Sequence, residues 1–438
     1  MIPILDWSQL AERDRKALLQ RPVQAVQADV LATAQRIIDR VRADGDLALR
    51  DLTRELDRVD LETLTVTGSE MQDAAVKVPL EARLALDRAI SNVRHFHGAQ
   101  IPKRLVVETM HGVSCERRIA PIGAVGLYVP AGSAPLPSTA IMLGVPAQIA
   151  GCPVRVLCTP PRPDGRADPA TLYVAQQCGI ENIYKIGGAQ AIAAMAYGTD
   201  SIPKTHKVFG PGNAWVTAAK LLVSRDAAGA ACDLPAGPSE VLVIADDEAR
   251  ADFVASDLLA QAEHSPDAQA ILITTSPRLA RETQAQIEAQ VRRLTRREIL
   301  KVSLGQSRLI VVDDLATAFA ISNAYAPEHL ILQLRDARQW LDQVSCAGSV
   351  FLGQWSPEPM GDYCTGTNHV LPTAGAARAY SGLSVSDFLK RITVQELTPA
   401  GLTLLGPTAQ TLAQLEGLDA HAQAVAIRLS ALAERGVA

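Results

Sequence analysis

Between Gly123 and Gly210 the sequence carries four short apolar runs, GAVGLYV (123–129), VRVLC (154–158), IYKIG (183–187) and HKVFG (206–210). Stretches of helical character separate and follow them, at 138–150, 168–178, 189–197 and 213–224. Runs of this length, bounded by turn residues, read as strands buried on both faces. Strands alternating with helices imply a parallel sheet covered by helices on each side. A second series follows: VLVIAD (241–246), AILITT (270–275), RLIVVDD (308–314), LILQL (330–334) and GSVFLG (348–353). Two doubly wound α/β sheets are therefore predicted, the first inserted between a helical start and the second.

Outward from this core, residues 26–98 read as helical, because Val30, Ala34, Ile37, Ile38 and Val41 repeat at the three-to-four spacing of a core-facing stripe. Past residue 384 the strand texture stops, and Gln410–Gly436 reads as a broken helix. The longest charge-poor stretch, Ala140–Val154, contains Gly144, Pro146, Gln148, Gly151 and Pro153. It reads as a core helix and a turn, since a spanning helix needs about 20 apolar residues.

At 438 residues and 48% hydrophobic, the chain can bury a large core without staples. A net charge of −5 with no basic block argues against a nucleic-acid surface. Seven scattered cysteines with no C-x-x-C pair form neither a disulfide framework nor a thiolate zinc finger, and fit a reducing compartment. The start, MIPILDWSQLAERDRK, reaches charge after five residues and has no apolar signal core. A cytoplasmic protein without a membrane segment is expected.

Ligands of doubly wound sheets bind at the carboxyl ends of the strands. A G-x-G-x-x-G fingerprint is absent; the nearest strings are Gly187-Gly-Ala-Gln190 and Gly210-Pro-Gly-Asn213. Each sits where a strand gives way to a helix, and a helix start suits a phosphate. On spacing alone, tight turns that need glycine explain them equally well. Four histidines stand in polar loops or at helix ends: His264, His329, His369 and His421. Gln261 and His264 lie three apart, within about 60° on one helix face. An irregular glycine-rich loop holds Asp362 and His369. Glu416 and His421 would lie about 140° apart on a continuous helix, yet converge if Gly417 breaks it and Asp419 caps the next. Imidazole, carboxylate and amide groups are ligands for zinc or a similar ion; ordinary surface or core histidines remain the alternative. Glu328 and His329, entering the strand LILQL, can both exchange protons near neutral pH, although a charged strand entrance is the plainer reading. Cys115, Cys152 and Cys158 lack a neighbouring base, so they read as core and not as nucleophiles.

Taken together, GLYVPAGSAPLPS (126–138), IGGAQAIAAMAYGT (186–199), VFGPGNAWVTAAK (208–220), DLPAGPSEVLV (233–243), LLAQAEHSPDAQA (258–270), NAYAPEHL (323–330), GDYCTGTNHVLPT (361–373) and LEGLDAHAQA (415–424) closely resemble the histidinol dehydrogenase family. The resemblance runs through nearly the whole chain in order. It implies oxidation of L-histidinol to L-histidine through L-histidinaldehyde with two NAD, the last step of histidine biosynthesis. It implies one zinc per subunit on Gln261, His264, Asp362 and His421. Glu328 and His329 take the acid–base roles, and Tyr128, Gln190 and Asn213 the NAD contacts. Substrate contacts fall on Ser239, Gln261, His264, His329, Asp362, His369, Glu416 and His421.

The implied architecture is an intertwined homodimer with shared active sites, built of two incomplete Rossmann-like domains and small helical terminal segments. On this sequence that gives 1–25 as an N-terminal helical segment and 26–130 with 240–382 as the first Rossmann-like domain. Residues 131–239 become the second, NAD-binding one, and 383–438 a tail serving the partner's active site. The alternatives are a dehydrogenase of this fold acting on another small amino or hydroxy alcohol, and a non-catalytic zinc-binding protein. Glu416, His369 and His421, suited to an imidazole and an amine, argue against the first. An intact Glu328–His329 pair argues against the second.

Overall fold

The computed structural model describes residues 2–21, 28–131, 134–234 and 237–435. Residues 1, 22–27, 132–133, 235–236 and 436–438 lie outside that description, among them the expected boundary between 25 and 26. Two compact units emerge, Met1–Gln100 with Gly123–Phe388, and Ile101–Ile122 with Leu389–Ala438.

The first unit contains both predicted sheets, and every strand pair in them is parallel. Across the five-stranded sheet run Asn182–Lys185, Val154–Thr159, Ala124–Tyr128, Lys207–Phe209 and Ala231–Cys232, the chain order 3-2-1-4-5. The six-stranded sheet repeats that order with Arg308–Val311, Gln269–Thr274, Glu240–Ala245, His329–Gln333 and Ser349–Leu352, and adds Ile4–Asp6 at one edge. Its strands alternate between two cores. Val241, Val243 and Leu272 face Val254 and Leu258 of the helix Ala251–Ala262. Leu242, Ile244 and Ile271 face Phe319 and Tyr325 of Leu315–Tyr325. Both faces are apolar, so the strands read as unbroken runs rather than as alternating ones.

Three features differ from the sequence expectation. The helix Ala28–Leu52 packs through Ile38, Val41 and Leu49 against Ala191, Ile192 and Met195 of Gly188–Tyr197. It therefore covers the five-stranded sheet, where it was grouped with 240–382; its stripe fits either sheet equally well in sequence. Ala124–Tyr128, placed in the same group, is the central strand of the five-stranded sheet. The first 25 residues, expected to be helical, hold the edge strand Ile4–Asp6 beside the helix Glu12–Leu18.

The second unit departs most. Its tail, expected to lack strands, contains Leu389–Leu397, paired antiparallel along Val113–Pro121, which also pairs with Leu105–Met110. Almost every residue of Leu389–Leu397 is exposed in the chain. No buried face therefore imposes an apolar pattern, and the strand is silent to a search for apolar runs. Two helices follow, Pro399–Leu415 and Asp419–Glu434, broken at Gly417 with φ +68° as expected. Leu418, not Asp419, occupies the capping position, and Asp419 is the first helical residue. Among the described residues no helix is long and apolar enough to cross a membrane.

The double-sided packing has a measurable consequence. Ile244→Ala, in the fully buried central strand of the six-stranded sheet, should cost ~2–5 kcal/mol of stability. Urea unfolding followed by circular dichroism would show it as an earlier transition; an unmoved midpoint would contradict the packing.

Candidate active site

The polar centre of the first unit gathers at the amino ends of two central strands of the six-stranded sheet. This reverses the expectation that the carboxyl ends come first. His329 opens its strand and is buried, with Nδ1 3.0 Å from the Glu240 carbonyl oxygen and 3.5 Å from Glu328 Oε2. Its Nε2 lies 3.3 Å from Asp362 Oδ1. The Glu240 N–H donates to Glu328 Oε2 at 2.8 Å. The helix Ala251–Ala262 starts beyond the carboxyl end of Glu240–Ala245 and runs back to this edge, delivering Gln261 and, just past its end, His264. His264 Nδ1 lies 3.3 Å from Ser239 Oγ.

Asp362, expected in an irregular loop, stands on the short helix Glu358–Tyr363, started by Pro357 and Pro359. Gly361 there is a packing requirement, since a Cβ would strike the Phe351 ring. His369 does lie in irregular chain; its Nδ1 donates to the Asp362 carbonyl at 2.7 Å, and its Nε2 is 3.4 Å from Thr139 Oγ1. Among the described residues, the ligand atoms of His264, Glu358 and Asp362 lie within 4.8 Å of one another. Gln261 is satisfied when its amide nitrogen donates to both Glu358 oxygens and its oxygen accepts from the Glu240 N–H at 3.0 Å.

Burial dominates the electrostatics. It pushes Glu328 and Glu358 up to about 8 and Asp257 up to about 6. Burial alone would depress His329, but the carboxylates of Glu328, Glu358 and Asp362 outweigh it and raise the imidazole to about 10. Asp362 stays below the usual range: burial opposes ionisation, but the hydrogen bond and charge of His329 prevail. Loss of water lowers both His264, part of whose surface stays exposed, and the buried His369, so both imidazoles favour the neutral form. Carboxylate, neutral imidazole and amide oxygen are donor types that fit a divalent ion.

A second group of polar residues sits at the carboxyl ends of the five-stranded sheet. Tyr128 ends the central strand, and its hydroxyl accepts from the Gly188 N–H at 3.0 Å. Gln190 lies in the first turn of Gly188–Tyr197, almost wholly buried, and its Oε1 has no hydrogen-bond partner. Asn213 caps Ala214–Arg225, accepting from Trp215 N and Val216 N. Gly210, at φ +128°, must be glycine because a Cβ would collide with the Tyr128 carbonyl. Tyr128 and Gly210 thus meet where the strand order reverses, the usual ligand crevice of such sheets.

The first unit thus brings together Ser239, Gln261, His264, Glu328, His329, Asp362 and His369. Glu416 and His421 belong to the second unit, at the break between its helices, and both are exposed in the chain. Sequence reasoning missed Glu358 and Glu240. Glu358 had a usable signal, standing four residues before Asp362 on one helix face. Glu240, inside a strand run, had none.

Two doubly wound sheets with a buried imidazole–carboxylate centre define an α/β enzyme equipped for proton transfer and metal binding. The family model described as histidinol dehydrogenase matches residues 19–429, and the chain belongs to that family of oxidoreductases. It is 55% identical over 430 residues to the histidinol dehydrogenase of Xanthomonas euvesicatoria pv. vesicatoria, covering 98% of this chain and 100% of that one. Against the Vibrio vulnificus (strain CMCP6) enzyme the identity is 51%, covering 98% and 99%. The crystal structure of histidinol dehydrogenase from Elizabethkingia anophelis is similar at a TM-score of 0.95 and 45% identity, over 98% of each chain.

The raised carboxyl of Glu328 fixes the sign of one pH effect. Its folded pKa lies above its ordinary value of 4.5, at about 8. Between those values the folded state holds more protons than the unfolded, so this contribution to stability declines as pH rises. Melting wild type and Glu328→Gln at pH 5 and pH 8 in chelator should show wild type losing ground to the variant at pH 8. A constant or opposite difference would mean that Glu328 titrates as an ordinary carboxylate.

Proposed function

We propose that this chain oxidises L-histidinol to L-histidine through L-histidinaldehyde, reducing two NAD, with zinc bound by Gln261, His264, Asp362 and His421. The observation that carries the reading is the buried Glu328–His329 pair beside the donor set of His264, Glu358 and Asp362. When bound, the metal supplies a template for the imidazole and amine nitrogens of the substrate and a positive charge opposing the buried carboxylates. Such orientation can lower a barrier by ~7–11 kcal/mol. Opposed by that positive charge, His329, an imidazolium in the metal-free chain, would give up its proton and then accept the hydroxyl proton as the first hydride passes from the carbinol carbon to NAD. Glu328, with a pKa brought near neutrality by burial, takes a proton from the water that adds to the aldehyde. The hydrated aldehyde loses the second hydride and becomes the acid. Ser239, His369 and Glu416 complete the grip on the substrate.

Tyr128, Gln190 and Asn213 are assigned to NAD, on a Rossmann-like five-stranded sheet. The strand order and the partnerless Gln190 oxygen support this. The second unit is assigned to a homodimer in which Glu416 and His421 complete the partner's site. Exposed Ile392, Val394, Leu404, Leu412 and Leu415 support a covered surface there. Seven scattered cysteines with no C-x-x-C pair support a cytoplasmic location.

The purified protein with histidinol, NAD and zinc should form two NADH per histidinol, read at the NADH absorbance band. Folded, zinc-loaded protein that forms none overturns the reading. Glu328→Gln should release one NADH per site quickly and the second slowly, whereas His329→Asn should slow the first by roughly 10²–10⁴. The shared site has its own test: Glu328→Gln and His421→Asn chains, unfolded together and reassembled, should regain about a quarter of wild-type activity. If hybrids form but activity stays near zero, the tail serves its own chain.

A further inference from the structure

The peptide of Glu240 is a junction for three of the proposed functional residues. Its N–H faces both Glu328 Oε2 at 2.8 Å and the Gln261 oxygen at 3.0 Å. Its carbonyl oxygen takes His329 Nδ1 at 3.0 Å. The Glu240 side chain, 2% exposed, is held from the far side by Arg21. The guanidinium engages both carboxylate oxygens, the second at 2.8 Å. It also donates to the carbonyls of Tyr325 and Ala326, at 2.8 and 3.3 Å, and its centre lies 3.9 Å from the Tyr325 ring. The Ala374 N–H donates to the same carboxylate at 3.1 Å.

We propose that Arg21 and Glu240 are positioning residues for the reaction, a clamp that fixes the peptide on which Glu328, His329 and Gln261 all hang. This rests on the functional reading of those three residues given above. Glu240 begins the central strand, where the Gln269 N–H holds the Ser239 carbonyl at 3.1 Å. The clamp adds a restraint through the Glu240 side chain, which the ladder does not reach. A planar guanidinium is suited to it, because two carboxylate oxygens, two carbonyls and an aromatic face are met at once. Lysine offers one point charge and cannot repeat that geometry. Removing Arg21 leaves a buried carboxylate short of its partner, which must turn or draw in water. Either movement shifts the residue-240 peptide, and displacements of about 1 Å can cost ~10²-fold in rate.

The test compares Arg21→Ala, Arg21→Lys and Glu240→Gln with wild type in the zinc-loaded full chain, per folded site. Arg21→Ala should lower kcat for histidinol and for histidinaldehyde by roughly 10–100-fold, leaving KM for NAD within about twofold. Millimolar guanidinium should restore part of kcat without raising the melting temperature. Arg21→Lys should fall between. Hydrogen exchange at the Glu240 amide, followed by mass spectrometry, should quicken in each variant. If Arg21→Ala does not fold, Arg21→Lys and Glu240→Gln carry the same comparison. Full kcat per folded site with unaltered Glu240 exchange would reduce the clamp to a stability element and overturn the proposal. Should wild type form no NADH from histidinol, the functional reading fails, and the exchange measurement alone decides the clamp.

Discussion

Glu328, Glu358, Asp362 and Glu240 are all carboxylates largely withdrawn from water at one end of a sheet, with His329 among them and Asp257 buried farther along, against Gln333. Desolvation of that much potential negative charge is the constraint to which the rest of the centre answers. Each carboxylate must keep a proton, find a cation or collect hydrogen bonds. Glu240 has Arg21, Asp362 has His329, and Glu328 has the N–H of residue 240. Glu358 has the Gln261 amide and a raised pKa. Asp257 has the Gln333 amide at 2.9 Å. Beside these groups, the ligand atoms of His264, Glu358 and Asp362 lie within 4.8 Å of one another.

The two sheets share one strand order but use opposite ends. In the five-stranded sheet, Tyr128, Gly210 and Asn213 sit at carboxyl ends, where the Tyr128 hydroxyl takes the Gly188 N–H and Asn213 takes those of Trp215 and Val216. The same ends of the six-stranded sheet are given to turns. Its amino ends hold the acid–base pair, fed by a helix that carries Gln261 back across the sheet. Thr139, at the start of Pro137–Ile149 beside the central strand of the first sheet, reaches His369 of the second centre. A distance of 3.4 Å between Thr139 Oγ1 and His369 Nε2 therefore links the two ends.

The parts legible in sequence were those with a physical signature local to it. Nine apolar runs marked nine strands, because burial on both faces leaves few polar residues to blur them, Lys185 and Gln333 being exceptions. Gly210 and Gly417 were legible because positive φ demands glycine. Glu358 was obscured by prolines that resemble a loop and in fact start a helix. Leu389–Leu397 was obscured because an exposed strand carries no apolar signature. The grouping of Ala28–Leu52 was beyond the sequence altogether, since an amphipathic stripe states that a helix packs but not against what.

Adjacent residues in a strand ordinarily point to opposite faces, so a working pair at 328 and 329 needs an explanation. The structure supplies it by ending the strand between them. His329 is the first residue in the ladder, paired opposite Val241, while Glu328 precedes it and joins the sheet through its carbonyl alone, which accepts from the Ser349 N–H at 2.9 Å. The two side chains can then turn to one point, the peptide of residue 240, which offers a donor to the carboxylate and an acceptor to the imidazole. That peptide is at the start of its own strand, so its N–H is not spent on the ladder toward residue 328. Two strand beginnings placed side by side thus do what neither could do alone. They present a hydrogen-bond donor and an acceptor about one peptide apart, and so set an acid and a base 3.5 Å from each other in a dry site. Held by one stretch of backbone and not by each other, the two groups keep separate protons: burial raises Glu328 to about 8, and the surrounding carboxylates raise His329 to about 10.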